Sequence, residues 1–373
     1  MHVPRRDGGH RGSATGPPTS GGRWGRPSVN ELSRVDGGRP APVLDKPFKL
    51  TVCITQTCNM NCKLCYADCG SAERPELTNA QWKTLIDELV RENFLHVFFE
   101  GGEPFQRPDF EDILAYIDRR LYIGVRTHGT LIDAVRARRL KALGVGRLYV
   151  DLFGALAEVQ DELSGVQGSF KAALAGIRHA RASGLKVTIL GILSRRNHTH
   201  LQSYLDLARE LGCDQVGILR LYPLGRAKRN WAELSLSLEE MMDALGGLRV
   251  PPGVQLMQSW YPRDGNCCWQ NAAVSPTGDS IGCPYLREYV NYGNVLTTPL
   301  LETWDHPQWR RLRANDVEAS CPECSATQGS HGGCRSTAFA FHGRFTAPDP
   351  YCIHTNAGVD LRALPERLLR PGS

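Results

Sequence analysis

From residue 48 to residue 221 the chain repeats one pattern, a short apolar run followed by an amphipathic stretch, and this repetition constrains its fold more than any other feature. The runs cover 49–54, 96–100, 122–127, 147–152, 186–193 and 215–221. Between them, apolar residues recur at three and four over 79–92, 108–119, 133–143, 169–183 and 201–211, the period of a helix with one buried face. Strands alternating with helices in this way predict a parallel sheet with helices outside it. Six strands in roughly 175 residues predict an α/β fold of the partial (β/α)6 TIM-like barrel kind, because a closed eightfold barrel takes about 250.

The 13 cysteines fall into two dense groups, five within 53–69 and seven within 267–352, with Cys213 alone between them. In a long chain without a secretory signal, such groups predict metal ligation rather than a disulfide framework. Cys58, Cys62 and Cys65, spaced x3 and x2 and followed by Tyr66, can hold three corners of a cubic iron-sulfur cluster. The fourth iron is then open to a small molecule. In the barrel reading these thiols lie on the loop after the first strand, at the C-terminal mouth where barrel enzymes keep their chemistry. The second strand runs into Glu100-Gly101-Gly102-Glu103-Pro104, whose glycines allow close backbone approach and whose Glu103 offers a carboxylate to an ammonium group. A zinc site is the alternative suggested by Cys62-x2-Cys65 and Cys321-x2-Cys324, but zinc accounts for neither Cys58 nor the glycine pair. Cys53 and Cys213 sit in apolar surroundings that predict small buried hydrophobes.

With the later run Leu221-Tyr222-Pro223-Leu224-Gly225-Arg226-Ala227, these motifs resemble the radical S-adenosylmethionine (SAM) superfamily. The resemblance implies that Cys58, Cys62 and Cys65 hold a 4Fe-4S cluster whose open iron chelates SAM. It also implies that Gly101, Gly102, Glu103 and Pro104 meet the cofactor amine and that Tyr66 lies against the adenine. Asp151, in Asp-Leu-Phe-Gly, stands where a ribose-binding hydroxyl is usual, and Arg220 is a candidate for the cofactor or substrate carboxylate or for an ordinary rim ion pair. His128 replaces the asparagine of a Thr-Asn-Gly turn and is expected to be a turn residue. Hydrogen abstraction from an unactivated carbon needs a primary carbon radical, and reductive cleavage of a sulfonium supplies one while the protein orients the partners and excludes water.

The C-terminal third carries a second signature: Cys268-x9-Gly278-x4-Cys283, then Cys321-x2-Cys324, Cys334 and Cys352. It resembles the SPASM extension, which implies one or two auxiliary 4Fe-4S clusters. By that likeness the first uses Cys268, Cys283 and Cys334 with Cys267 as candidate fourth ligand, and the second uses Cys321, Cys324 and Cys352 with Ser330 or His331. Ser330 stands where relatives carry cysteine. The expected organisation is a disordered Gly/Pro/Arg-rich tail over 1–45, a radical SAM partial barrel over 46–245, a SPASM domain over 255–360 and a C-terminal tail over 361–373.

Residues 1–42 hold a charge of +4 out of the chain's +5, so the remainder is nearly neutral and gives no case for a nucleic-acid groove. The longest apolar stretches, such as 187–193, are far too short to span a membrane, and a cytoplasmic protein is expected. The function implied is maturation of a ribosomally made peptide, by crosslinking or oxidation, in natural-product biosynthesis. The alternative is radical dehydrogenation of a small aminocyclitol or sugar. A pure iron-sulfur electron carrier has no use for the glycine pair. Sulfatase-type maturation is disfavoured because Pro284 follows Cys283 where those relatives place an acid base; Tyr285 and Glu288 are the nearby acid-base candidates. Expected partners are an electron donor such as flavodoxin or ferredoxin and a separate leader-binding protein, since the tail is too short and polar for a winged helix.

Overall fold

The structure, a computed structural model, describes residues 44–258, 270–313, 318 and 333–369. Most of the tail, and Cys267, Cys268, Cys321, Cys324, Ser330 and His331, lie outside the described residues. Six strands match the expected runs: β1 (Lys49–Cys53), β2 (His96–Glu100), β3 (Tyr122–Thr127), β4 (Val145–Asp151), β5 (Lys186–Ile192) and β6 (Gln215–Leu219). Two further strands, β7 (Gln255–Gln258) and β8 (Asn271–Val274), flank them. The order is β7-β6-β5-β4-β3-β2-β1-β8 and every pairing is parallel. β7 and β8 are the two ends of this order, so the sheet stays open, and both edge strands come from beyond residue 250. Thr51 Oγ1 donates to Asn271 Oδ1 at 3.0 Å across the β1–β8 pair.

Helices α1 (Asn79–Arg91), α2 (Phe110–Tyr116), α3 (Ala134–Ala142), α4 (Ala157–Ser164), α5 (Ser169–Ala182) and α6 (Leu201–Glu210) join the strands, followed by α7 (Gly225–Arg229) after β6. In α1, Thr78 and Gln81 close a capping box, and Trp82, Leu85, Ile86 and Leu89 form the buried stripe. α4 was not expected, because its buried face carries Gln160 and Asp161 beside Leu163. Among the described residues no helix is long and apolar enough to cross a membrane.

Because side chains alternate along a strand, one face of the sheet packs on the helices and the other lines the concave interior. Leu50, Val52, Val97, Phe99, Ile123 and Val125 belong to the helix-side core. On the other face, a Cβ at Gly124 would lie 2.8 Å from the Phe98 ring, 3.2 Å from His96 and 3.3 Å from Tyr149, which marks a crowded aromatic floor. Nearer the C-terminal ends of the strands the same face carries Glu100, Arg126 and Asp151. The open barrel is therefore aromatic at its base and charged at its mouth.

His96 begins β2 at the end away from that mouth, edge-on to Phe98 and Tyr122. Its Nε2 is buried with no hydrogen-bond partner among the described residues. Burial, with Lys49 beside it, lowers its pKa from 6.5 to about 4. The unfolded chain binds the proton first, so stability from a neutral His96 is full above pH 6.5 and is lost as pH falls toward 4. Allowing for partial exposure, the loss is about 1–3 kcal/mol. His96→Leu is expected to narrow the gap between melting temperatures at pH 7.5 and pH 5; an unchanged gap would exclude this account.

Candidate active site

The loop after β1 is pinned from three sides. Cys58 N donates to Gly70 O at 2.9 Å and Gly70 N to Gln56 O at 3.0 Å, closing a ring of backbone around the three cysteines. From the C-terminal end of α4, Ser164 O accepts from Asn61 N at 3.1 Å and Leu163 O from Lys63 N at 2.8 Å. Beneath the loop lies α7, where Ala227 N donates to Cys65 O at 3.3 Å. Gly225 has φ +52°, and a Cβ there would stand 2.8 Å from both Cys65 O and Tyr66 O. The glycine of the Leu-Gly-Arg-Ala run is thus required by the close passage of the cysteine loop.

Gly101 and Gly102 close the other wall. Gly102 N donates to Thr55 O at 2.7 Å and Glu103 N to Thr57 O at 2.9 Å. A Cβ at Gly102 would fall 2.2 Å from Thr57 O and 3.0 Å from the Cys58 Cβ. Nothing larger than glycine fits between the second strand's exit and the cysteine loop.

These walls line a single cavity that opens at the mouth of the barrel. Of the residues singled out in the sequence, Cys58, Cys62, Cys65, Tyr66, Gly101, Gly102, His128 and Asp151 line it together. Glu100, Arg126, Phe153 and Arg226 line it too and were not foreseen. Burial pushes the Cys58 thiol up to about 11 and the Cys62 thiol well above its ordinary range. A hydrogen bond from Cys69 draws Cys65 down, and Cys69 is raised in return. Loading iron therefore releases protons from Cys58 and Cys62. Among the described residues no three of His, Cys, Asp or Glu close on one ion, whereas the thiolates of a cubane each address a different iron. Three soft donors on one fixed loop, facing one cavity, fit an iron-sulfur cluster.

A polar network forms the cavity floor. Tyr66 Oη donates to Glu100 Oε1 at 2.6 Å. Arg126 Nε donates to Asp151 Oδ1 at 3.0 Å, and Arg126 lies 3.6 Å from Glu100. Burial raises the Asp151 pKa in spite of the Arg126 guanidinium beside it. Arg126 Nη1 also reaches Tyr285 Oη at 3.5 Å, and Tyr285 packs edge-on to Tyr66 with centroids 4.8 Å apart.

Several expected residues are placed elsewhere. The Glu103 carboxylate is fully buried and accepts from Thr127 Oγ1 at 2.8 Å, His128 N at 2.9 Å and Phe105 N at 3.1 Å. It points into the protein, and Pro104 is buried behind it. Thr130 N donates to His128 Nδ1 at 3.1 Å, so the ring hydrogen lies on Nε2, facing Asn59 Oδ1 at 2.8 Å. His128 is a turn residue with both nitrogens engaged. Arg220 does not line the cavity; it is buried and pairs with Asp349 at 2.6 Å. The Glu288 carboxylate accepts from Gly225 N at 2.7 Å and Lys228 Nζ at 3.0 Å. Cys53 and Cys213 are buried, as expected; Cys213 lies in the main apolar core, and Cys53 packs with Ala273 and Ile281 while its thiol reaches Glu100 at 3.8 Å.

Of the seven C-terminal cysteines, Cys283, Cys334 and Cys352 are described. Ser336 Oγ, two residues past Cys334, donates to Tyr285 O, two residues past Cys283, which ties those two segments together. Asp349 accepts from Cys334 N at 2.8 Å, and its own carbonyl accepts from Cys352 N at 3.0 Å.

The radical SAM superfamily description matches residues 52–208, and that of the SPASM iron-sulfur cluster-binding domain matches 267–325. The chain is 32% identical over 330 residues to the mycofactocin maturase MftC of Mycobacterium tuberculosis, covering 83% of this chain and 84% of the relative. It is 29% identical to an AdoMet-dependent heme synthase of Methanosarcina barkeri, covering 81% and 95%, and 28% identical to a PqqA peptide cyclase of Streptomyces rochei, covering 83% and 90%. In fold it resembles Streptococcus suis SuiB bound to S-adenosylmethionine, with TM-score 0.66, 15% identity and coverage of 83% of this chain and 78% of that one.

Proposed function

Because this chain belongs to the radical SAM superfamily and carries its SPASM extension, we propose that it matures a ribosomally made peptide by crosslinking or oxidation. It is an enzyme, and its cofactors are SAM and 4Fe-4S clusters. Held in the mouth of the barrel, these supply a carbon radical strong enough to take hydrogen from an unactivated carbon.

Each wall residue then has a task. Cys58, Cys62 and Cys65 hold the first cluster, and the backbone of Gly101 and Gly102 borders the cofactor where no side chain intrudes. Tyr66, fixed through Glu100, presents its ring to the adenine, and Asp151, oriented by Arg126, takes the ribose side. Glu103 and Pro104 act from behind the wall, and Arg220 braces the extension. Auxiliary clusters form at the C-terminal cysteines, with Cys283 and Cys334 in one and Cys352 in the other. The enzyme works in the cytoplasm and is reduced by flavodoxin or ferredoxin. A separate leader-binding protein presents the peptide.

One observation carries the peptide reading: the likeness to MftC and to the PqqA peptide cyclase runs through barrel and extension alike, over 83% of the chain in both cases. The test is anaerobic incubation of the reduced, reconstituted enzyme with SAM and short peptides encoded beside its gene. Formation of 5'-deoxyadenosine together with hydrogen loss from one such peptide is the expected result. Turnover only with a cyclitol, sugar or porphyrin precursor would replace the peptide by a small molecule.

A further inference from the structure

Three consecutive residues at the exit of β6 each address the cysteine-bearing C-terminal segment. Arg220 pairs with Asp349 at 2.6 Å, and Asp349 accepts the Cys334 backbone N–H at 2.8 Å. Leu221 O accepts from Tyr351 Oη at 3.0 Å, one residue before Cys352. Tyr222 Oη lies 3.9 Å from Cys334 Sγ, within hydrogen-bond reach for sulfur. The Tyr222 ring is also stacked flat on Tyr285, with centroids 3.8 Å apart and planes at 7°. Stacking fixes where the hydroxyl points, and the buried Arg220–Asp349 pair fixes where the sulfur sits.

We propose that Tyr222 tunes the iron site at Cys334 by giving its phenol hydrogen to the ligating sulfur. The inference rests on the reading of Cys334 as an auxiliary-cluster ligand. In the free protein the thiol donates to the phenol oxygen. A cysteine that has lost its proton to bind iron can only accept, and Tyr222 is then the group placed to donate. A donor on a ligand sulfur withdraws electron density, stabilises the reduced cluster and raises its potential. Tyr222 is a positioning and tuning residue, since it acts through the ligand.

The test uses the full chain with Cys58, Cys62 and Cys65 all replaced by alanine, so that only auxiliary iron remains, reconstituted anaerobically and followed by iron analysis and EPR-monitored redox titration. Cys334→Ala in that background is expected to lose about four irons per chain. Tyr222→Phe, which keeps the stacked ring, is expected to keep all its iron while the midpoint of one cluster becomes more negative. A purely structural role would not move the potential at constant iron. An unchanged midpoint in Tyr222→Phe, with iron lost in Cys334→Ala, would overturn the inference and leave the ligand reading standing. Full iron and an unaltered signal in Cys334→Ala would overturn the ligand reading and the inference with it.

Discussion

Alanine at Cys58, Cys62 or Cys65 is expected to remove about four irons per chain and to lower reductive formation of 5'-deoxyadenosine at least roughly 1,000-fold, to background. Each thiol stands at a different point of a loop tied to β1, α4 and α7, so none can shift to cover the place of another. The nearest spare thiol, Cys69, is buried and hydrogen-bonded to Cys65. Cys53 lies at the floor, 3.8 Å from Glu100. Cys69→Ala and Cys53→Ala are accordingly expected to keep their iron, which separates a ligand set from a merely cysteine-rich region. Intact iron and intact 5'-deoxyadenosine in any one of the three ligand variants would refute the assignment.

The barrel was legible because a parallel sheet covered on one face by helices writes its strands as short apolar runs, and β2 and β3 match the expected runs end to end. β7 and β8 were not legible. Each has four residues, and β8 pairs with β1 from more than 200 positions away, a partnership that no local pattern records. α4 was hidden for a different reason: Asp161 spends its carboxylate on Gly168 N, Ser169 Oγ and Phe170 N, so its buried face is a turn-holding network rather than an apolar stripe. At the site, motif spacing located the cysteine loop and the glycine pair, whose roles depend on backbone contact. Side-chain direction was beyond reach. Arg126 and Asp151 meet only because β3 and β4 pair with Arg126 beside Tyr149, and Arg220 meets Asp349 across 129 positions. Glu103 illustrates the same limit, since its place in the motif was clear while the side to which its carboxylate turns was not.

That direction has a large consequence. Glu103→Ala is expected to destabilise the folded protein by roughly 3–5 kcal/mol, because it strands three buried donors that the carboxylate now satisfies. Those donors are Thr127 Oγ1, His128 N and Phe105 N, and Glu103 itself has no exposed surface. Glu103→Gln is the sharper test. Its amide keeps one acceptor oxygen but sets an NH₂ group in place of the other, and a donor at Oε2 would face both His128 N at 2.9 Å and His128 Nε2 at 3.2 Å. If the amide turns the other way, its NH₂ meets the Phe105 N–H instead. Either orientation leaves a donor against a donor, at a cost of about 1–3 kcal/mol. Thermal unfolding of the reconstituted enzyme should therefore show a lowered melting temperature in Glu103→Gln with or without SAM. A variant with the wild-type melting temperature and weakened SAM binding would mean that this carboxylate serves the cofactor amine directly. In the expected outcome, the glutamate of the Gly-Gly-Glu-Pro run holds the Thr127-His128-Gly129 turn against the cavity wall, and the two glycines alone face the cofactor.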